Sequence, residues 1–166
     1  RSAMFTPVAV YIQIIIGATM RHTGAGLAIP DFPLAFGGIV PPIWNFGIAL
    51  NFAHRIGAII VVSFVIALSA HILSRLRTRH ELVQPAILLL VVVIVQFALG
   101  AWTVLSEKHV AINTAHVANG ALLWVTSVVL ALRVYRDQFD TPHTLGHEGQ
   151  ATSVTLTPHS SRGAGV

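Results

Sequence analysis

The chain has 166 residues, of which 54% are hydrophobic and only 10% are charged, with a formal net charge of +4. Soluble domains carry about 25% charged residues, so this composition excludes a soluble enzyme and a disordered protein. The absence of cysteine excludes a disulfide-rich secreted domain. The basic residues are scattered over predicted helix ends and do not indicate a nucleic-acid partner. The composition therefore predicts an all-α integral membrane protein whose partner is the lipid bilayer.

Four apolar stretches approach the length of about 20 residues that a membrane helix needs. We predict a four-transmembrane-helix bundle over residues 1–136, with helices at about 4–21, 46–74, 83–105 and 110–135, the first of marginal length. Residues 137–166 are polar and predict a disordered cytoplasmic tail. The chain begins at Arg1 rather than Met, which fits either processing or a longer polypeptide.

The distribution of arginine predicts the orientation of the bundle. Arg75, Arg77 and Arg79 follow the second helix, and Arg133 and Arg136 end the fourth. Because short cytoplasmic loops carry an excess of Lys and Arg, we expect both termini in the cytoplasm. The segment 22–45 and the turn 106–109 then face outward from a bacterial or archaeal inner membrane.

An internal repeat relates the first helix to the third and the second helix to the fourth. The matching motifs are Gln13-x-x-x-Gly17-Ala18 with Gln96-x-x-x-Gly100-Ala101, and Asn51-x-Ala-His54 with Asn113-x-Ala-His116. The glycine that follows each histidine differs by one position. The repeat predicts two pseudo-symmetric helical hairpins that run in the same sense about an axis along the membrane normal.

The repeat makes two of the nine histidines equivalent. His54 lies 21 residues before Arg75, about 31 Å along the helix, and His116 lies 17 residues before Arg133, about 25 Å. Both imidazoles are thus predicted at similar depth near the outer face. Ionisable groups inside membrane helices indicate function, and facing helices suit bis-His ligation of haem iron. His54 and His116 are therefore predicted as metal ligands of haem b.

Neighbouring residues complete the predicted cofactor site. Asn51 and Asn113, each one turn before a histidine, are candidates to orient its second ring nitrogen. Arg55 is a candidate partner of a haem propionate, and His22 is a candidate contact at the cofactor edge. Each histidine has a simpler alternative, an interhelical hydrogen bond, and this is the role that we predict for Gln13 and Gln96.

Two segments and two residue pairs resemble the haem A synthase family. They are Met20-Arg-His-Thr-Gly-Ala-Gly-Leu-Ala-Ile-Pro-Asp-Phe-Pro-Leu34, followed by Gly38-Ile-Val-Pro-Pro42, and the pairs His54-Arg55 and Ala115-His116. The resemblance covers roughly residues 5–135. It implies an oxidoreductase that converts the methyl group of haem O to the formyl group of haem A, with haem O and haem A as substrate and product. It also implies that His54 and His116 are the axial ligands of one half of an eight-helix protein.

The chain departs from that family at three points. Only one half is present, so we expect a second copy in a homo-oligomer, a partner membrane subunit or a missing segment of the chain. Asn51 stands where the substrate half of the family carries Glu, which argues against autonomous activity. Ala28 and Ala35 lie near the positions of a cysteine pair that many members have. These departures favour a haem-b-binding half over a self-sufficient enzyme.

Three functions therefore remain open from the sequence. The first is a membrane oxidoreductase of the haem A synthase type, or one half of it. The second is a non-catalytic bis-His haem b subunit for electron transfer or assembly in a respiratory or photosynthetic complex. The third is a structural subunit without cofactor, in which both histidines bond across helices.

Overall fold

The computed structural model describes the backbone of residues 2–140 and the side chains of residues 3–136. This part of the chain forms four helices, which are α1 (Phe5–His22), α2 (Phe46–Arg75), α3 (His80–Leu105) and α4 (Val110–Asp140). Short 3-10 turns lie at Ser2–Met4 and Ala25–Leu27. Within residues 2–140 the only β pairing is an isolated bridge between Ala35 and Gly38. The prediction of an all-α fold is confirmed.

Three of the four helices are long and apolar enough to cross a membrane, namely Phe46–Arg75, His80–Leu105 and Val110–Arg136. The first helix, α1, has 18 residues and is therefore about 27 Å long, slightly short of a hydrocarbon core of about 30 Å. Four helices exist where the sequence predicts them, and three qualify as membrane spans. The last helix reaches Asp140, so four residues predicted as tail are helical. The rest of the predicted tail, 141–166, lies outside the described residues.

The helices form a ring in chain order. Extensive contacts join α1 to α2, α2 to α3, α3 to α4 and α4 back to α1. The two helices that carry the repeated histidines, α2 and α4, therefore lie diagonally opposite each other across the bundle.

The apolar core occupies the half of the bundle away from these histidines. Its fully buried members include Val65 and Ile72 of α2, Leu89 of α3 and Leu130 of α4. This half ends where Arg75–Arg79 connects α2 to α3, and we call it the arginine end. The opposite half, the loop end, carries segment 23–45 and turn 106–109. The amide and imidazole side chains that meet neighbouring helices lie toward the loop end, whereas the buried hydroxyl groups of Thr6, Ser69 and Ser127 lie toward the arginine end.

A proline in α3 creates one interhelical bond at the arginine end. Pro85 has no N–H, so the carbonyl oxygen of Glu81, one turn earlier, loses its helical donor. Arg133 of α4 supplies a replacement, with Nη1 donating to that oxygen at 2.8 Å. An exposed arginine at the end of α4 thus fastens α3 to α4.

The loop between α1 and α2 is folded rather than extended. Asp31 accepts hydrogen bonds from the backbone N–H groups of Phe36 and Gly37, both at 2.8 Å. These two bonds, with Gly37 first, lower the pKa of the Asp31 carboxyl below its usual value. Asn45 caps α2, because its Oδ1 accepts from Ile48 N at 2.9 Å. The loop thus has a defined shape above the bundle.

Candidate functional site

Arg55 ties the loop to the second helix. Its Nη1 donates to the carbonyl oxygen of Leu34 at 2.8 Å, and its Nη2 donates to those of Ile29 at 2.9 Å and Asp31 at 2.8 Å. The guanidinium carbon also lies 5.9 Å from the ring centroid of Phe32. The sequence predicts a cofactor propionate as the partner of this arginine, whereas the partners in the structure are three loop carbonyls.

Asn51 belongs to the same loop anchor. It is buried, and its Nδ2 donates to the carbonyl oxygens of Ala25 at 3.0 Å and Gly26 at 3.1 Å. Its Oδ1 accepts from Arg55 Nε at 3.0 Å. The amide is thus fully engaged by the loop and does not orient the His54 ring.

The contact to His54 comes instead from the neighbouring helix. Gln13 of α1 places its Nε2 at 3.0 Å from His54 Nδ1 and donates from the same nitrogen to the backbone oxygen of His54 at 2.7 Å. Oε1 of Gln13 is buried and has no partner among the described residues. The prediction that Gln13 bonds between helices is confirmed.

His116 has a corresponding contact from α3. Nε2 of Gln96 lies 3.3 Å from His116 Nε2. Oε1 of Gln96 accepts from Asn119 Nδ2 at 2.9 Å, and the same amide nitrogen of Asn119 donates to the Val92 carbonyl at 3.0 Å. His116 Nδ1 is buried without a partner in the described part of the chain. Gln96 therefore bonds between helices as predicted, within a three-residue network.

Glycines give each imidazole its place against the neighbouring helix. A Cβ added at Gly17 would lie 2.9 Å from Cε1 of His54, and one at Gly100 would lie 3.1 Å from Cε1 of His116. Ordinary contacts of a Cβ are longer than about 3.4 Å. Because Gln13 and Gly17, like Gln96 and Gly100, are four residues apart, each pair shares one helix face. The repeated motif of the sequence is thus a repeated set of contacts around two histidines.

The two histidines occupy related positions. Both are half-buried, and they lie on the diagonal helices α2 and α4 near the loop end. Among the described residues, no group of three or more His, Asp or Glu could hold a bare metal ion. A pair of imidazoles is, however, the complete set of protein ligands that bis-His haem requires.

Two predicted residues lie apart from these contacts. Asn113 is half-buried one turn before His116, but Gln96 holds the contacted ring nitrogen. The reason is geometric, because a residue on a facing helix reaches an imidazole edge more directly than one on the same helix. His22 is exposed at the end of α1. Direct cofactor contacts of both residues stay predictions.

The sequence predicts that asparagines orient the two rings, whereas in the structure Gln13 and Gln96 contact the rings and Asn119 holds the Gln96 amide. The signal for the glutamines is present in the repeat, since a Gln and a Gly one turn apart recur together. The signal for Asn119 is the single-residue shift of the glycine after His116, which inserts an amide where the first hairpin has Gly57.

We expect Gly17→Ala to destabilise the protein by about 1–3 kcal/mol, because the new methyl group meets the His54 ring and forces it to move. Gly47→Ala is the matched control, since its Cβ would lie 3.5 Å from the nearest atom and Ala favours a helix by about 1 kcal/mol over Gly. Thermal unfolding in detergent measures both. Gly17→Ala in a His54→Ala background should lose its penalty; an unchanged penalty there would contradict the contact.

Comparison with known proteins identifies the family. Residues 1–128 match the sequence model of the cytochrome oxidase assembly protein family COX15-CtaA. The match covers more than half of the chain and includes both histidines, so the chain belongs to this family. The family, together with three apolar helices, makes it an integral membrane protein of a group associated with haem A biosynthesis and oxidoreductase chemistry.

Several curated relatives carry the name Heme A synthase. The chain is 32% identical over 139 residues to the protein from Caulobacter sp. (strain K31), covering 77% of this chain and 40% of the relative. It is 36% identical over 91 residues to that of Symbiobacterium thermophilum, covering 55% and 29%. It is 29% identical over 146 residues to that of Geobacillus kaustophilus, covering 86% and 46%. The chain therefore spans less than half the length of these relatives.

Proposed function

We propose that this chain binds haem b through His54 and His116, near the outer face of the membrane, as part of a haem A synthase-type oxidoreductase. The observation that carries the proposal is the pair of equivalent imidazoles on diagonal helices, each contacted by a glutamine and seated against a glycine. Haem O and haem A are the candidate substrate and product, as the name of the relatives suggests.

The residues present fit a haem group. Two imidazoles are the donors that bis-His ligation needs, and no competing carboxylate belongs to the set. His116 Nδ1 and Gln13 Oε1 are buried polar atoms without partners in the described part of the chain. Unsatisfied buried polar atoms are rare, and each of these two belongs to a histidine contact, since Gln13 bonds to His54 and Nδ1 is a ring atom of His116. When bound, haem would supply one-electron redox chemistry at its iron.

The chain's own residues have separate tasks in this proposal. His54 and His116 would hold the iron, while Gln13 and Gln96 contact the rings. Arg55 holds the loop over this end of the bundle. In the described part of the chain, neither Asn113 nor His22 forms a hydrogen bond with His54 or His116. Their proposed role is a direct contact with the bound cofactor.

We also propose that α1 crosses the membrane as a fourth span and that the two hairpins are related by a pseudo-twofold axis. The repeated contacts Gln13 to His54 and Gln96 to His116 support this relation. The arginines between α2 and α3 favour a cytoplasmic location for the arginine end of the bundle and for both chain termini. Because the chain spans 40% of the first relative above, a second copy or a partner subunit is proposed to complete the enzyme.

One observation favours a non-catalytic role for this chain by itself. Asn51 stands at the position where the resembled family carries Glu. Its amide group is fully hydrogen-bonded to the loop and to Arg55. In the described part of the chain, the position one turn before His54 thus carries an amide rather than a carboxylate. The second candidate is a haem b subunit that transfers electrons or assists assembly within a larger membrane complex.

Haem titration of the purified full chain, followed by assay for haem A, tests these alternatives. We expect a Soret band with split α and β bands on reduction, as for low-spin bis-His haem. Conversion of supplied haem O to haem A by the chain, alone or with its partner, supports the oxidoreductase. Haem binding without conversion in any assembly supports the electron-transfer role, and absence of haem after reconstitution would leave the cofactor-free structural role.

A further inference from the structure

The orientation of each glutamine amide is fixed by a group other than the histidine ring. Nε2 of Gln13 donates to the backbone oxygen of His54 at 2.7 Å, which only an N–H can approach. Oε1 of Gln96 accepts from the amide nitrogen of Asn119 at 2.9 Å. In both hairpins the amide nitrogen is thus the atom turned toward the imidazole.

These orientations determine the state of each ring. A neutral imidazole has one N–H and one nitrogen with a lone pair. Nδ1 of His54 faces the N–H of Gln13 at 3.0 Å, so it carries the lone pair and the proton is on Nε2. Nε2 of His116 faces the N–H of Gln96 at 3.3 Å, so the proton is on the buried Nδ1. The two histidines are therefore opposite tautomers, and the lone pair of each ring already accepts a hydrogen bond from a glutamine.

Iron needs the same lone pairs, because only an unprotonated ring nitrogen can ligate a metal. At His116, a bond to iron through Nε2 replaces the bond from Gln96. At His54, ligation through Nε2 requires the proton to move to Nδ1, where it would meet the N–H of Gln13. In each case the hydrogen bond from the glutamine must break before the imidazole can act as a ligand.

We propose that Gln13 and Gln96 are positioning residues that compete with haem iron for His54 and His116, and so weaken haem binding and speed its release. The inference rests on the proposed function, since it concerns the same two ligands. The expected change in haem affinity has the opposite direction to the usual one, because removing a residue that supports a metal ligand ordinarily lowers metal affinity by about 10–100-fold.

Gln13→Leu and Gln96→Leu in the full chain test the competition. We expect each substitution to tighten haem binding and slow haem transfer to excess apomyoglobin by about five-fold, the value of one neutral hydrogen bond. Gln84→Leu is the matched control, because Gln84 is an exposed glutamine of α3 at the arginine end. Gln13→Met provides a second apolar side chain without branching.

Ring ¹⁵N chemical shifts of the haem-free protein provide a readout that involves no cofactor. Wild type should give a lone-pair nitrogen at Nδ1 of His54 and at Nε2 of His116, and each Leu variant should change only the signal of its own histidine. Faster or unchanged haem release from both variants, or identical tautomers in wild type, overturns the inference alone. Failure of wild type to bind haem overturns the proposed function, and the inference with it.

Discussion

Replacement of either His54 or His116 by alanine should abolish low-spin bis-His haem. Under the proposed function, each substitution would remove one of the two residues that hold the iron and leave the other imidazole as the single protein ligand. We expect at least about 100-fold weaker haem binding, since even residues behind a metal ligand contribute about 10–100-fold. Titration followed by the Soret band measures the affinity, and electron paramagnetic resonance measures the spin state.

The control for this experiment is His71→Ala, which removes an exposed histidine from α2, the same helix that carries His54. It should bind haem as wild type does. Thermal unfolding of the haem-free variants separates loss of the ligand from loss of the fold. Full haem retention by both His54→Ala and His116→Ala would contradict the bis-His assignment and favour a structural role for the two rings.

Arg55→Met should release the loop from the bundle. The substitution leaves three backbone carbonyls and Asn51 Oδ1 without their donor. Hydrogen bonds to charged groups contribute about 1.5–3 kcal/mol each and are not additive, so we expect a total loss of roughly 3 kcal/mol. Thermal unfolding measures this loss, and limited proteolysis should detect cleavage within 23–45.

Arg55→Lys separates the two roles considered for this residue. Lysine keeps the charge but lacks the planar fork that reaches several carbonyls, so loop stability should fall almost as far as in Arg55→Met. A propionate partner would instead depend mainly on the charge, and haem affinity would then survive in Arg55→Lys. Arg21→Met is the control, since Arg21 is exposed at the end of α1. An unchanged melting temperature in Arg55→Met would refute the anchoring role.

The loop anchor explains why a cation is tolerated within a helix of a membrane protein. An isolated charge at such a position is costly, and the sequence suggests a negatively charged cofactor group as compensation. The folded loop supplies carbonyl dipoles instead, and Asp31 reinforces its shape through Phe36 N and Gly37 N. The compensation is therefore already present within the protein.

The two hairpins are alike in their contacts but not identical. The side-chain Oε1 of Gln96 accepts a hydrogen bond from Asn119. Gly57, three residues after His54, has no side chain that could donate to Oε1 of Gln13. Gly57 is also required to be small, because a Cβ there would overlap Oε1 of Gln13. The two histidines are consequently unequal in their surroundings, which a single repeat motif does not reveal.

The sequence by itself determined the class of protein, the positions of four helices and the internal repeat that contains His54 and His116. These features depend on local patterns, since the length of an apolar stretch and the recurrence of a motif are readable without knowing which helices touch. The same patterns placed α4 correctly but ended it early, because the polar residues 137–140 continue the helix. Helix ends depend on capping and are less well determined by composition.

Only the tertiary structure decided which polar side chain meets which partner. Asn51 and Arg55 lie next to His54 in sequence, yet both bond to a loop some 20 positions earlier, and Gln13 reaches His54 from another helix. A buried polar group takes the donor or acceptor that packing brings within about 3 Å, and neighbours along a helix face different directions. The repeat in the sequence therefore singles out the two histidines, and helix packing determines which residues contact them.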